Sequence, residues 1–438
     1  MRQILDLHIH SKYSRACSRD LTLVNIDRTC RIKGVDIIAT GDFTHPVWFK
    51  NIKEELEETK PPTPPFNKGV LYRLKLAENN KIKFILSTEI SLIYKDGEKT
   101  RRLHIVIHAP NFDAAEELNN YLEKAGFNIK SDGRPILGMK APNLVNLCLK
   151  IHPQFLIYPA HIWTPWYSVF GSKSGFDSME ECFKDETPNI YAIETGLSSD
   201  PAMNWRWSAL DKLTIISNSD AHSLPNIGRE ANIMDLESVT YDEIYNAIKN
   251  KDLKKIKGTI EFYPEEGMYH LDGHRTCGVS FTPEETKNLK GICPVCKKAL
   301  VIGVLNRVEE LADRPHFVPQ FCGTTRGKPE EGKPEKVAPF YKLVELDKII
   351  AEVLGVKSRQ SKQVQKEYNA IISEFGPELG ILMDLDLKVL EKTVDKRIIE
   401  GIKRVREGRI YIKPGFDGQY GEVRVFGEGE GRGQNKLL

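Results

Sequence analysis

In five places along the first half of this chain, a short run of largely β-branched or aromatic residues leads into side chains of the kind that hold metals. Ile4 to Leu7 leads into His8 and His10, and Val35 to Ala39 into Asp42 and His45. Phe84 to Leu86 leads into Glu89, Phe155 to Tyr158 into His161, and Leu213 to Ile216 into Asp220 and His222. Continuous apolar runs of this length read as strands buried on both faces. Polar groups at the C-terminal mouth of such strands are where barrel enzymes carry their chemistry. The pattern therefore predicts an α/β barrel with a multi-metal site at its mouth.

The 438 residues leave room for two or three domains, one of them a barrel of roughly 250 residues. With 63 basic and 61 acidic residues the net charge is only +2, which neither demands nor excludes a nucleic-acid partner. No apolar stretch reaches the ~18 residues that span a bilayer, and Met1 runs directly into a strand, so neither a membrane partner nor a signal peptide is expected. Eight cysteines, three of them in metal-like spacing, favour a reduced, cytoplasmic setting.

Up to about Gly258 strand-like and helical patterns alternate, which argues for a parallel sheet closed or wound by helices. Helices are expected at 21–34, 51–60, 70–79, 113–124, 144–151 and 241–249, and a hairpin around Asp96-Gly97. Seven strands are expected, the last three at 155–161, 190–194 and 213–219. This gives a barrel domain at 1–258, a cysteine-bearing insert at 259–322, a mainly helical region at 323–426 and a flexible tail at 427–438. The Pro61–Pro65 run is an extended loop, since proline cannot continue a helix, and 323–339 reads as a linker. C-terminal helices are expected at 341–354, 360–375 and 386–407, followed by strands at 409–412 and 422–426.

Carboxylates at Asp42, Glu89 and Asp220 mixed with neutral imidazoles suit Zn, Mn or Fe better than an all-oxygen Mg site. A carboxylate shared by two metals would activate water and clamp a phosphoryl group together. Glu194 and Asp200, after the sixth strand, are candidates for a ligand or a general acid/base, with loop hydrogen bonding the plainer alternative. Separately, His274 and Cys277 followed by Cys293 and Cys296 form two half-sites spaced for one structural zinc. His270 competes with His274 for that role. All five tryptophans follow barrel strands. Trp48, Trp163, Trp166 and Trp205, with Phe43 and Tyr167, are expected to surround the mouth and stack on bases, against the alternative that they are core. Basic residues at 251–257 and along 396–409 form local runs that read first as solvated faces, while the C-terminal helices are expected to clamp a duplex through phosphates. Gln434-x-x-Leu437 is half of a sliding-clamp-binding pattern and lacks its aromatic pair.

The strand-end motifs resemble the polymerase-and-histidinol-phosphatase (PHP) family over about residues 1–258. The resemblance implies a distorted (β/α)7 barrel that binds up to three metals and hydrolyses phosphoesters. His8, His10, Glu89, His161, Asp220 and His222 match its motifs, and His104 matches a histidine opening the fourth strand, where His108 competes. Asp42 is followed by Phe43 rather than histidine, so His45 is taken as the replacement ligand. Taken with the Cys277/Cys293/Cys296 knuckle, the 303–314 segment and the Pro414–Gly421 ending, the chain resembles the endonuclease Q family. That implies a DNA-repair nuclease cutting 5′ to uracil, hypoxanthine, xanthine or abasic sites in double- or single-stranded DNA. It further implies Zn in the knuckle, Zn in the barrel with Mg or Mn possible for catalysis, and work at the nucleoid. The competing reading is a small-molecule phosphatase acting on histidinol phosphate or nucleotides.

Overall fold

The computed structural model describes residues 1–59, 69–77, 81–315, 334, 336–427 and 430. The barrel is built from the strands Arg2–Asp6, Ile37–Ala39, Lys83–Ile85 running on into Ser87–Asp96, Lys99–His108, Leu156–Pro159, Ala192–Glu194 and Thr214–Ile216. Leu5 lies opposite Ile37 and Ile38 opposite Phe84, both in parallel register. Ala192–Glu194 pairs with Thr214–Ile216 in parallel. The ring closes where Ile9 bridges Ala221 and the Leu7 amide donates to Asn218 Oδ1 at 2.9 Å. Leu5, Leu7, Ile37, Ile38, Phe84, Ile105, Ile157, Ile193 and Ile216 are buried in the core.

The fourth stave runs against its neighbours: Ser87 faces His108 and Ile105 faces Pro159, both antiparallel. The tight turn at Gly97-Glu98, with Gly97 at φ 61°, dictates this, because a parallel return needs a long crossover and a hairpin does not. The expectation of an all-parallel barrel is corrected on that point. The expected helix at 70–79 is corrected too, because Tyr72–Leu74 is a strand with Tyr72 and Leu74 buried and Arg73 turned outward. Two strands missed in the sequence, Ala231–Asp235 and Ile256–Glu261, extend the sheet antiparallel beside Arg2–Asp6. Phe340–Lys342 then adds in parallel to Ile256–Glu261, which itself spans the expected boundary at 258.

Beyond the barrel, Asp272–His274 pairs with Val279–Phe281, and this small ribbon meets the terminal hairpin Tyr411–Lys413/Glu422–Arg424 through a Leu271–Phe416 bridge. Helices Leu346–Leu354, Lys362–Phe375, Glu378–Met383 and Lys396–Glu407 form the C-terminal region. The helix expected at 386–407 is interrupted: a 3-10 turn covers Leu387–Lys392, and Asp395 caps a new helix by accepting from the Arg397 amide. The Pro61–Pro65 loop, most of the 323–339 linker and of the 427–438 tail, and Gln434–Leu437 lie outside the described residues. Among the described residues no helix is long and apolar enough to cross a membrane.

Candidate metal centre

The strand ends turn sharply at the mouth. Asp42, His161 and Asp220 hold left-handed backbone (φ 50°, 30° and 45°), a conformation that costs non-glycine residues on the order of 1–3 kcal/mol. Period-two alternation puts His8 and His10 on one side of the first strand's extension. Donor atoms of His8, His10, Glu89 and Asp220 lie within 4.8 Å of one another, and so do those of Glu89, His104 and His161. Glu89 belongs to both sets. Its Oε2 is 3.3 Å from His10 Nε2; its Oε1 is 2.9 Å from His104 Nδ1, 3.3 Å from His161 Nε2 and 3.8 Å from His8 Nε2. Asp220 Oδ1 stands 3.1 Å from His10 Nε2 and 3.7 Å from His8 Nε2.

These atoms fit a cation. His8 Nε2, His10 Nε2, Glu89 Oε1 and Asp220 Oδ1 are buried without a hydrogen-bond partner, an arrangement that proteins rarely tolerate unless something else satisfies the group. Burial raises the Glu89 carboxyl, but the adjoining His104 ring and the Arg134 guanidinium outweigh it and hold Glu89 well below the usual carboxylate range. Burial likewise opposes ionisation of Asp220, and the close approach of His10, with His8 and His222 nearby, overcomes it. His104 is pushed down to about 4 by burial, despite Glu89, so its ring is neutral with a lone pair to give.

Several expected roles change. Asp42 is not among the converging donor atoms: its Oδ2 accepts from the Ser11 amide, Ser11 Oγ and Ser14 Oγ at 2.7, 2.7 and 2.9 Å, and Oδ1 from His10 Nδ1 at 3.0 Å. Glu194 stands behind His8 in the same way, accepting from Nδ1 at 3.0 Å and from Asn218 Nδ2 at 2.8 Å. Carboxylates so placed orient the ligating histidine and fix its tautomer, so neither is an open acid/base at the mouth. Asp200 is elsewhere: it caps Pro201–Trp205, pairs with Lys342 Nζ at 2.7 Å and lines a cavity of about 1000 Å³ between the barrel, the insert and the C-terminal helices. His45 is a helix cap, its Nδ1 facing the Trp48 amide at 3.4 Å and its Nε2 facing the Lys130 carbonyl at 3.1 Å, so both ring nitrogens are engaged away from the cluster. His222 sits at the rim with Nδ1 on the Asp220 carbonyl at 2.8 Å and its ring 4.6 Å from that of His10.

The reversed fourth stave decides between His104 and His108. Its N-terminal half lies at the mouth, so His104 meets Glu89, whereas His108 is buried at the far end against Tyr158 Oη at 3.0 Å. Most of the expected aromatic rim is core: Phe43, Trp48, Trp163 and Trp205 are buried, Trp48 Nε1 donating to the Gly41 carbonyl and Trp163 Nε1 to Asn204 Oδ1. Trp166, 37% exposed and edge-on to Tyr269, and Tyr167, 4.8 Å from the His104 ring, remain at the surface. Sequence reasoning missed Arg134, whose Nη1 donates to Glu89 Oε2 at 2.9 Å; it lies in a loop with no periodic signal. Three arginines of the basic terminal region are engaged with partners inside the protein. Arg404 pairs with Glu400, Arg409 with Glu407 and Glu400, and Arg406 donates to three carbonyls. In the insert, donor atoms of His274, Cys277, Cys293 and Cys296 converge within 4.8 Å, with His270 outside that group. Cys296 Sγ is 3.5 Å from His274 Nδ1.

Several known proteins are similar to this chain in sequence or in structure. The PHP-associated family model matches residues 203–253, and the MJ0043 C-terminal domain model matches 345–409. The uncharacterized protein MJ0043 of Methanocaldococcus jannaschii is 34% identical over 268 residues, 60% of this chain, and the match spans only 31% of that relative's length. The lesion-specific endonuclease PfuEndoQ from Pyrococcus furiosus superposes with a TM-score of 0.80 at 31% identity, covering 97% of this chain and 95% of its own. Endonuclease Q in complex with a 27-mer duplex carrying an abasic lesion at the active site also gives 0.80, at 30% identity over 100% and 99% of the two chains. With that identity over nearly the whole of both chains, this chain belongs to the endonuclease Q family, the metal-dependent endonucleases of DNA repair.

Proposed function

We propose that this chain incises DNA on the 5′ side of deaminated bases (uracil, hypoxanthine, xanthine) and abasic sites, turning the lesion nucleotide out of the helix. The observation that carries the reading is Glu89, a buried carboxylate shared by two sets of histidine-rich donors, in the first of which His8 Nε2, His10 Nε2, Glu89 Oε1 and Asp220 Oδ1 lack hydrogen-bond partners. His8, His10, Glu89 and Asp220 would hold one divalent ion and Glu89, His104 and His161 a second, with Zn or Mn suited to the mixed donors. When bound, such ions supply Lewis acidity and an activated water for phosphodiester hydrolysis.

The chain's own residues orient and hold. Glu194 and Asp42 keep the Nδ1 protons of His8 and His10 turned inward, so each Nε2 lone pair points to the cluster. Tyr167 and Trp166 offer the aromatic faces nearest the mouth for an extruded base, and a deaminated or abasic position costs less to unstack than a sound pair. The Cys/His knuckle, with zinc, and the C-terminal region would grip the duplex through phosphates without sequence preference. Chromosomal DNA as substrate implies work at the nucleoid.

Incubation with duplexes bearing a single uracil, hypoxanthine or abasic site, with Mg or Mn, should yield a nick at the 5′ side of the lesion. Asp220→Ala should abolish it while circular dichroism stays unchanged. Release of phosphate from small esters without a lesion-directed nick would favour the phosphatase reading instead.

A further inference from the structure

We propose that Arg134 grips the non-bridging oxygens of the scissile phosphate, an assignment that rests on the endonuclease reading above. The loop that carries it is pinned over the mouth. The Gly133 amide donates to the Tyr13 carbonyl at 3.0 Å, and Asp132 receives both the Arg15 amide at 3.3 Å and Arg15 Nε at 3.2 Å. Strand Ile136–Leu137 then pairs with Ser91 and Leu92. A Cβ at position 133 would stand 2.3 Å from Asp42 Oδ2 and 2.4 Å from Ser14 Oγ. Only glycine lets the loop come this near the carboxylate that orients His10.

Seated in this way, the loop delivers the guanidinium to Glu89. Arg134 Nη1 donates to Glu89 Oε2 at 2.9 Å, which uses one of the five N–H groups of the planar fork. Among the described residues its other nitrogens have no hydrogen-bond partner, and the side chain is 25% exposed. A guanidinium placed only to lock Glu89 would be expected to engage both carboxylate oxygens. This one touches a single oxygen, and the rest of the fork is left to match a phosphoryl group in the bidentate manner that arginine favours. Among the described residues it is also the only lysine or arginine within ion-pair distance of Glu89, Asp220, Asp42 or Glu194. Beside the ions that the donor clusters would hold, a fixed guanidinium adds directional donors, so negative charge accumulating on the phosphoryl oxygens during hydrolysis would meet them already in place.

Arg134→Ala and Arg134→Lys, each in the full chain, test this. Single-turnover nicking of a lesion duplex should fall about 100-fold or more in the alanine variant, as expected for removing one preorganised donor. Metal content should be unchanged and duplex affinity should fall far less than the rate, because many phosphate contacts share it; added guanidinium should restore part of the rate, and lysine should retain part of it. Inorganic phosphate, titrated calorimetrically into the metal-loaded protein, should bind more weakly to Arg134→Ala. A wild-type rate in Arg134→Ala, or a slow rate accompanied by metal loss, would overturn the assignment, the latter leaving Arg134 as a mere support for Glu89. Should the wild-type protein fail to nick lesion DNA, the endonuclease reading falls, and the phosphate titration still decides Arg134. Weaker binding in the variant supports the assignment and equal binding overturns it.

Discussion

A histidine offers a metal one lone pair, and the other ring nitrogen decides which one. In His8 and His10 the Nδ1 proton is held by a buried carboxylate, Glu194 and Asp42 respectively. Burial works against the charged ring in both, yet the Glu194 charge on His8 and the Asp42 charge on His10 prevail, and both histidines lie well above their ordinary value. Both rings therefore hold a second proton more tightly than an ordinary imidazole in the metal-free protein, and a metal has to displace it. The sign follows: apparent metal affinity falls as pH drops below these raised values, by about tenfold per unit for each proton displaced. His104, pushed down to about 4 by burial, contributes nothing to this linkage near neutrality. Calorimetric metal titrations at pH 7 in buffers of different ionisation enthalpy should reveal net proton release, reduced in His8→Gln and unchanged in His104→Gln. Proton-neutral binding would mean that neither ring carries the second proton before the metal arrives.

At the scale of elements, the insert illustrates a segment with little core of its own. Between Asp272 and Val301 most of the apolar side chains are at least partly exposed, Val295 among them, with Cys293 and Leu300 buried. Its strands are three residues each, too short to be stable alone. The four converging Cys and His donors supply the missing cohesion if a zinc ion joins them. The ribbon in turn anchors the terminal hairpin, with the Arg275 amide donating to Asp417 Oδ2 at 2.6 Å and the Gly418 amide to the Met268 carbonyl at 3.0 Å. Cys293→Ser should therefore lose one equivalent of zinc by atomic emission and expose both the insert and residues 411–424 to proteolysis. The barrel should keep its own metals and its far-ultraviolet dichroism. Simultaneous loss of barrel metal would mean that the insert is part of the centre rather than a separate unit.

Across the whole molecule, the N-terminal helix Leu23–Lys33 and the C-terminal helices are joined by a buried ionic contact. Lys33 Nζ lies 2.7 Å from Glu378 Oε2, both side chains are under 10% exposed, and Tyr368 Oη donates to the same oxygen at 2.5 Å. Burial lowers the Lys33 amine, and the charges of Glu378 and Asp347 more than reverse this. Removing one partner strands the other charge, at a cost of about 3–5 kcal/mol in comparable buried pairs. Lys33→Met should lower the unfolding free energy by roughly that amount in denaturant titrations. The double replacement Lys33→Met/Glu378→Leu should recover most of it, and a neutral single variant would show that solvent reaches the pair.

How much of this was legible beforehand follows from the range over which each signal acts. Strand-end histidines and carboxylates are local features, and so the barrel, the converging set of His8, His10, Glu89, His104, His161 and Asp220, and the four converging donors of the knuckle could be read along the chain. Hydrophobic periodicity reports burial without saying which partner covers it. Trp48, Trp163 and Trp205 therefore looked like a base-stacking rim, and packing made them core. A carboxylate beside a histidine motif looks the same whether it faces the metal or the back of the ring. Only closure of the barrel turned Asp42 and Glu194 toward Nδ1 atoms and sent Asp200 to Lys342. The direction of the fourth stave, set by a two-residue turn, chose His104 over His108. Arg134 carries no local signal, because its position depends on how closely Gly133 can approach Asp42, some ninety residues away in sequence. The sequence by itself determined which chemistry the chain can carry, since donor types and their spacing are intrinsic to it. Which atoms face one another was decided by tertiary structure alone, because contact between residues far apart in the chain exists only once the barrel has closed.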